Sequence, residues 1–241
     1  MTKLMLGNSL EILPTLPTGS FDALITDPPY SSGGLHAAAK SLPTSAKYQN
    51  TGTKKKYPGG DFPGDGLDQR SWLRWCNEWL RESLRIVRPG GYALAFIDWR
   101  QLPTMTDAFQ MSGWTWRGIV VWNKTGSARA AHKGYFRHQS EYIVWGTNGR
   151  CEKATHGGPF PGVYTHRVNP AEKLHVTGKP IELMKDLVQC TPPGSRILDP
   201  FCGSAMTIKA AKETGRHGLG IELSPACFAV AEQNLAQPKS D

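Results

Sequence analysis

Phe21-Asp22-Ala23-Leu24-Ile25-Thr26-Asp27-Pro28-Pro29-Tyr30 is the stretch on which the reading of this chain turns. Residues 21–26 are a compact apolar run between Gly19-Ser20 and Asp27-Pro28-Pro29, which predicts a buried central strand. Upstream, Lys3–Leu6 reads as a short strand, and Ser9 caps a short helix over Leu10–Leu13. Downstream, residues 31–70 are rich in Gly, Pro, Ser and Lys without periodicity, which predicts a long mobile loop. Ser71 then caps a helix whose apolar stripe carries Trp72, Trp75, Cys76, Trp79, Leu80, Ser83, Leu84 and Val87. The stripe predicts core packing for its tryptophans. Arg88-Pro89-Gly90-Gly91 stops this helix. Strands are expected at Tyr92–Ile97, Trp114–Trp122, Glu141–Trp145, Arg196–Leu198 and His217–Glu222. Helices are expected at about 100–111, Pro180–Cys190, Ser204–Thr214 and from Ser224-Pro225 onward, and 146–178 reads as irregular and basic. Alternating strands and helices argue for one α/β domain, 1–241, with a mostly parallel sheet covered on both faces.

Composition narrows the class. With 39% hydrophobic and 20% charged residues the chain can bury a core. No apolar run approaches the ~18 residues of a membrane span. The start, Met1-Thr2-Lys3-Leu4, does not resemble a secretory signal. The five cysteines are scattered and form no Cys-x-x-Cys pair, so neither a disulfide framework nor zinc is expected. Cys151 and His156, with His132 and His138, match no strong metal-ligand spacing, so no metal is expected. These features predict a reduced, cytoplasmic protein. The net charge is +8, and the stretch 124–179 holds nine Lys and Arg against three Glu, together with five of the seven histidines. A charge excess so concentrated points to a polyanionic partner.

The turn after the central strand carries the chemistry. In open α/β sheets ligands bind beyond the carboxyl ends of strands. There the chain offers the Asp27 carboxylate, the Pro28 carbonyl and the Tyr30 ring, in a turn stiffened by Pro28 and Pro29. An exocyclic base amine is a poor nucleophile because its lone pair is delocalised into the ring. Two acceptors on its two N–H bonds favour the pyramidal, positively charged geometry of attack, and an aromatic ring can stack on an extruded base. A proline-rich turn with a locally capping Asp is the plainer alternative. A second turn, Asp199-Pro200-Phe201-Cys202-Gly203-Ser204, also follows a strand and opens a helix, where the backbone can approach a cofactor. Glu222 closes the next strand, where an acid can accept ribose hydroxyls. The spacing also fits a dinucleotide site, although Ala205 and Met206 break the Gly-x-Gly-x-x-Gly pattern.

Taken together, Asp27-Pro28-Pro29-Tyr30 and Phe201-Cys202-Gly203 resemble the amino-methyltransferases of DNA, with the catalytic turn ahead of the cofactor turn as in the beta class. The resemblance covers nearly the whole chain. It implies a Rossmann-like S-adenosylmethionine-dependent methyltransferase fold with a seven-stranded, circularly permuted sheet. The N-terminal strand would then lie beside the last one, as in bacterial and phage enzymes. It implies Asp27, Pro28, Pro29 and Tyr30 as catalytic residues. It implies Asn8, Lys179, Asp199, Phe201, Cys202, Gly203, Ser204 and Glu222 as the cofactor site, with Lys179 meeting the methionine carboxylate. Where the family usually has Gly-Ser-Gly-Thr this chain has Ala205, whose Cβ should keep it out of positive φ. Asp27 favours adenine N6 over cytosine N4, since cytosine enzymes usually carry Ser at that position. DNA is the expected partner, contacted by Lys54, Lys55, Lys56 in the loop and by Lys124, Arg129, Lys133 and Arg137 in a basic insert over about 124–175. A short or relaxed target sequence is expected, and a homodimer stays open. The rivals are cytosine-N4 or RNA methylation, a nicotinamide-dependent oxidoreductase on a similar sheet, and a non-catalytic DNA-binding subunit.

Overall fold

The computed structural model of the chain describes residues 2–32, 65–127, 133–151, 157–168 and 178–237. Most of the 31–70 loop, with Lys54, Lys55 and Lys56, lies outside the described residues, as does Arg129. The described strands form one sheet in the order β1-β8-β7-β2-β3-β5-β4-β6. They span Lys3–Leu6 (β1), Phe21–Thr26 (β2), Val87–Ile97 (β3), Thr115–Asn123 (β4), Ser140–Thr147 (β5), Val163–Thr165 (β6), Arg196–Asp199 (β7) and His217–Glu222 (β8). Only the β3–β5 and β5–β4 pairs are antiparallel. The N-terminal strand lies parallel to β8, with Leu6 opposite Glu222.

Eight strands stand among the described residues where seven are expected. The extra one, β6, falls inside the stretch read as irregular. Its alternation is too short to announce itself, and the partner strand makes it: β4 pairs Val121, Trp122 and Asn123 with Val163, Tyr164 and Thr165. The indole N–H of Trp122 donates to the His166 carbonyl at 2.9 Å and pins the end of this edge.

The run 21–26 is apolar throughout because both faces of β2 are covered. Leu24 joins a cluster with Trp72, Trp79 and Leu80 of α2 (Gln69–Ile86) and Met105 and Phe109 of α3 (Leu102–Met111). Ala23 and Ile25 face the other way, onto Leu183, Met184 and Leu187 of α4 (Ile181–Val188) and Ala210 and Ala211 of α5 (Met206–Glu213). A strand sandwiched between helices needs no polar face. The last helix, α6 (Pro225–Ala236), is capped by Ser224 and brings Ala231 against Ile208 and Cys202.

Two helix starts differ from expectation. Asp68, not Ser71, caps α2: its carboxylate accepts from the N–H groups of Arg70 and Ser71, and the Ser71 hydroxyl donates to it at 2.7 Å. A carboxylate that satisfies two orphan N–H groups outcompetes a hydroxyl one turn later. Asn8 likewise caps α1 (Ser9–Ile12), accepting from Leu10 N at 3.0 Å. At the other end of α2, Arg88-Pro89-Gly90-Gly91 enters β3 rather than a loop. The register slips there, from Phe21 opposite Val87 to Ala23 opposite Tyr92. Gly91 is required at this slip, since a Cβ would stand 2.6 Å from the Asp22 carbonyl. The carboxyl ends of β1, β8, β7, β2, β3 and β4, and the start of antiparallel β5, thus share one edge of the sheet.

Candidate active site

Asp27 follows β2 directly, and the core holds its turn from behind. The Trp72 indole, fully buried on α2, donates to the Pro29 carbonyl at 2.8 Å. The Asp65 carboxylate accepts from Ser31 N at 2.9 Å, just past the turn. The Tyr30 hydroxyl lies 2.6 Å from Asp27 Oδ1 and 2.7 Å from Glu141 Oε1. Lys179 Nζ lies 2.6 Å from Asp27 Oδ2 and 2.9 Å from Glu141 Oε1. Lys124 Nζ donates to Glu141 Oε2 at 3.1 Å. Two carboxylates and the Lys179 ammonium thus meet around one phenol, and Lys124 on the far oxygen of Glu141 completes the charge balance.

The environment pulls the two acids apart. Burial lifts the Asp27 carboxyl above the usual carboxylate range; Lys179 opposes the rise and Glu141 adds to it. Burial acts on Glu141 too, but Lys179 and Lys124 together outweigh it and hold Glu141 at about 2. Burial and the neighbouring carboxylates push the Tyr30 phenol well above its ordinary value, so it stays protonated. The Asp27 side chain keeps 24% of its surface exposed against 7% for Lys179 and 12% for Glu141, so Asp27 is the member open to a ligand.

The second turn lies alongside. Thr26, the last residue of β2, donates through its hydroxyl to Asp199 Oδ1 at 2.7 Å, joining the two strand ends. Asp199 also accepts from Phe201 N, and burial pushes its carboxyl up to about 6 against the Thr207 and Thr26 hydroxyls. Phe201 packs on Trp75 and Trp79 with ring centres 5.1 and 5.2 Å away. Glu222 accepts from Gly203 N at 2.9 Å and from Ser224 N at 2.8 Å. Gly203 has φ 52°, and a Cβ there would meet nothing within 4 Å. The Ser204 carbonyl accepts from Asn234 at 2.7 Å. Cys202 is packed so closely that a Cβ on Gly220 would stand 2.8 Å from its sulfur, and burial pushes its thiol well up. It is a packing residue.

One expectation needs correction. Ala205 sits at φ 62°, ψ 33°, in the left-handed region it should avoid. That conformation costs an L-residue roughly 1–2 kcal/mol. Its methyl is fully buried against Cys202, Ile208 and Ala231, and offsets part of that, about 0.8 kcal/mol for one methyl-sized group. Lys179, expected at the cofactor carboxylate, is engaged by Asp27 and Glu141. Lys124, expected on DNA phosphate, is drawn inward to Glu141. Lys133 and Arg137 are exposed in the β4–β5 connection. Nearby, His138 stacks on Trp99 at 5.7 Å and Arg100 lies 4.7 Å over the same indole. Among the described residues no group of three His, Cys, Asp or Glu could hold a metal, and no helix is long and apolar enough to cross a membrane.

Read from the sequence, Glu141 is only the start of a strand and Trp72 only core. A lone acid opening the apolar run Tyr142–Trp145 is the available signal for the first. For the second there is none, since an indole N–H reveals its acceptor only in three dimensions.

Comparison with known proteins gives a consistent picture. Residues 21–157 and 153–233 match the family model of N6/N4 methyltransferases, described as DNA methylase. The Escherichia coli (strain K12) protein YubD is 28% identical over 238 residues, covering 98% of this chain and 91% of its own. Two solved structures share the fold. The M1.HpyAVI–SAM complex superposes with a TM-score of 0.70 at 19% identity, covering 98% of this chain and 100% of that one. The cytosine-N4-specific PvuII DNA methyltransferase superposes at 0.71 and 14% identity, covering 100% and 88%.

Proposed function

Since the chain belongs to the N6/N4 family of DNA methylases, we propose that it transfers a methyl group from S-adenosylmethionine to the N6 amine of adenine in DNA. The observation that carries this reading is the bond between Thr26 and Asp199, which sets the acceptor-rich turn and the glycine turn side by side. An amine held by Asp27 then has a donor site within reach. The oxidoreductase reading has no support from family membership.

The residues of the second turn fit the cofactor. Gly203 leaves open space against the backbone, and Glu222 keeps lone pairs beyond those its two N–H donors use, for a ribose diol. Asp199 would meet the methionine amine, Phe201 and Asn8 would flank the adenine, and Cys202 and Ser204 supply the turn. The bound sulfonium supplies an electrophilic methyl group. Asp27 and the Pro28 carbonyl accept the two N–H bonds of the amine, and so favour the pyramidal geometry and the charge of attack. Pro29 shapes the turn, and Tyr30 gives the base a ring to stack on. No covalent enzyme intermediate is needed. Lys133 and Arg137 lie on the connection that opens at this edge, and serve DNA phosphates together with Lys54, Lys55, Lys56 and Arg129. The PvuII enzyme shares the fold, so fold does not choose the base; Asp27 supports adenine.

Incubation with unmethylated DNA and S-adenosylmethionine, followed by nucleoside mass spectrometry, tests the assignment. N6-methyladenine is expected. N4-methylcytosine would overturn the base, and no methylated product the reaction. The cofactor site has its own check. In Glu222→Gln the carboxamide must turn an NH2 toward Gly203 N–H or Ser224 N–H and loses the charge. Losing a charge-assisted hydrogen bond costs about 1.5–3 kcal/mol, so S-adenosylhomocysteine should bind roughly 10- to 100-fold more weakly by calorimetry.

A further inference from the structure

Glu141 has no part in the reading above, yet it is the hub of the buried charge cluster. Both oxygens of Asp27 already receive a donor: Oδ2 from Lys179 at 2.6 Å and Oδ1 from Tyr30 at 2.6 Å. An incoming amine is a third claimant, and a weaker one than an ammonium. Each existing donor, however, already has Glu141 Oε1 within reach, Tyr30 at 2.7 Å and Lys179 at 2.9 Å. We propose that Glu141 is a positioning residue that takes over Lys179 and the Tyr30 hydroxyl when the base amine reaches Asp27, so that the Asp27 carboxylate turns to the amine. This inference rests on the Asp27 reading above.

The geometry makes the exchange small. The hydroxyl hydrogen rotates from one carboxylate to the other, and the ammonium shifts its hydrogens between oxygens it already touches. Glu141 is fixed for the task. It stands on β5 opposite Trp122 of β4, and Lys124 holds its far oxygen at 3.1 Å. A charged acceptor is required, because a buried ammonium that lost its carboxylate to a ligand would stand uncompensated. With Glu141 present, Lys179 keeps a full counter-ion through the exchange. Lys124 balances Glu141 in turn.

The test is the single-turnover methylation rate with labelled S-adenosylmethionine and excess amplified, unmethylated bacterial DNA, measured across pH. Four proteins are compared: the parent, Glu141→Gln, Lys179→Met and the double variant. Glu141→Gln should slow transfer by about 10- to 100-fold, the scale of a misplaced catalytic group. S-adenosylhomocysteine affinity should stay within about twofold, which also reports the fold. The groups facing Asp27 are Lys179, Glu141, Tyr30 and Asp199. Glu141 alone is changed, and its negative charge raises Asp27. Its removal should therefore move the acid limb of the profile to lower pH even as the plateau falls. Without Lys179 there is no ammonium to take over, so the Glu141→Gln change should cost less than about threefold in the Lys179→Met background. A Glu141→Gln rate within about threefold of the parent, an unmoved or raised acid limb, or equal losses with and without Lys179 would overturn the proposal. A parent that transfers no methyl removes both readings together. A parent that transfers methyl while Glu141→Gln keeps pace removes this one alone.

Discussion

Asp27→Ala should reduce single-turnover methyl transfer by at least about 10²- to 10³-fold, the scale seen when one preorganised polar group is removed from a developing charge. Its carboxylate follows the last residue of β2 and is the most open member of the charge cluster. The loss should appear in the chemical step, with S-adenosylhomocysteine affinity changed by no more than about threefold, because Glu222 holds Gly203 and the tryptophans hold Phe201 without help from Asp27. Asp27→Asn is the sharper control. It keeps the shape and one acceptor oxygen and removes the charge, so its rate should fall between those of the parent and Asp27→Ala. In the parent, protonation of Asp27 removes an acceptor. Burial raises this carboxyl above its ordinary value, so the rate should fall with decreasing pH through a midpoint above the usual Asp range. Full activity in Asp27→Ala, measured by rapid quench, would refute the catalytic assignment.

Trp72→Ala should destabilise the protein by roughly 3–5 kcal/mol, the cost of truncating a fully buried Trp. That is a large share of the ~5–15 kcal/mol that typically separates folded from unfolded chains. For a domain of this length it corresponds to a fall in Tm of about 6–20 °C by calorimetry. The position also reaches the site. Trp72→Phe keeps most of the packing and removes only the indole N–H, leaving the Pro29 carbonyl without that donor. It should cost about 1–3 kcal/mol in stability. Its effect on the methyl-transfer rate should be larger than its effect on cofactor affinity, since the turn that loosens is the one bearing Asp27 and Tyr30. Equal loss of both would show that Trp72 supports the fold alone.

Local chemistry by itself makes much of this protein readable. The run 21–26 reads as a central strand because nothing polar interrupts it and Gly and Pro close both ends. The strand His217–Glu222 and the helix that Ser224-Pro225 opens are read correctly from the same kind of punctuation. Where two caps compete within one turn, as Asp68 and Ser71 do, composition alone picks the wrong one. The strand Val163–Thr165 is invisible in sequence because its hydrogen bonds, not its residues, make it a strand.

The divide follows the distance over which an interaction acts. Strand, turn and cap preferences are settled within a few residues, so the sequence by itself determined the α/β alternation, the Asp-Pro-Pro-Tyr turn and the glycine turn. Lys179 lies 152 residues from Asp27 and Glu141 lies 111 from Tyr30, and no local preference encodes such pairings. Only the sheet order, which brings β2 beside both β7 and β3, and β3 beside β5, decided which charges share a site. A buried charge must find its partner wherever the backbone delivers one, and so Lys179 and Lys124 pair with the carboxylates of Asp27 and Glu141 at the strand ends.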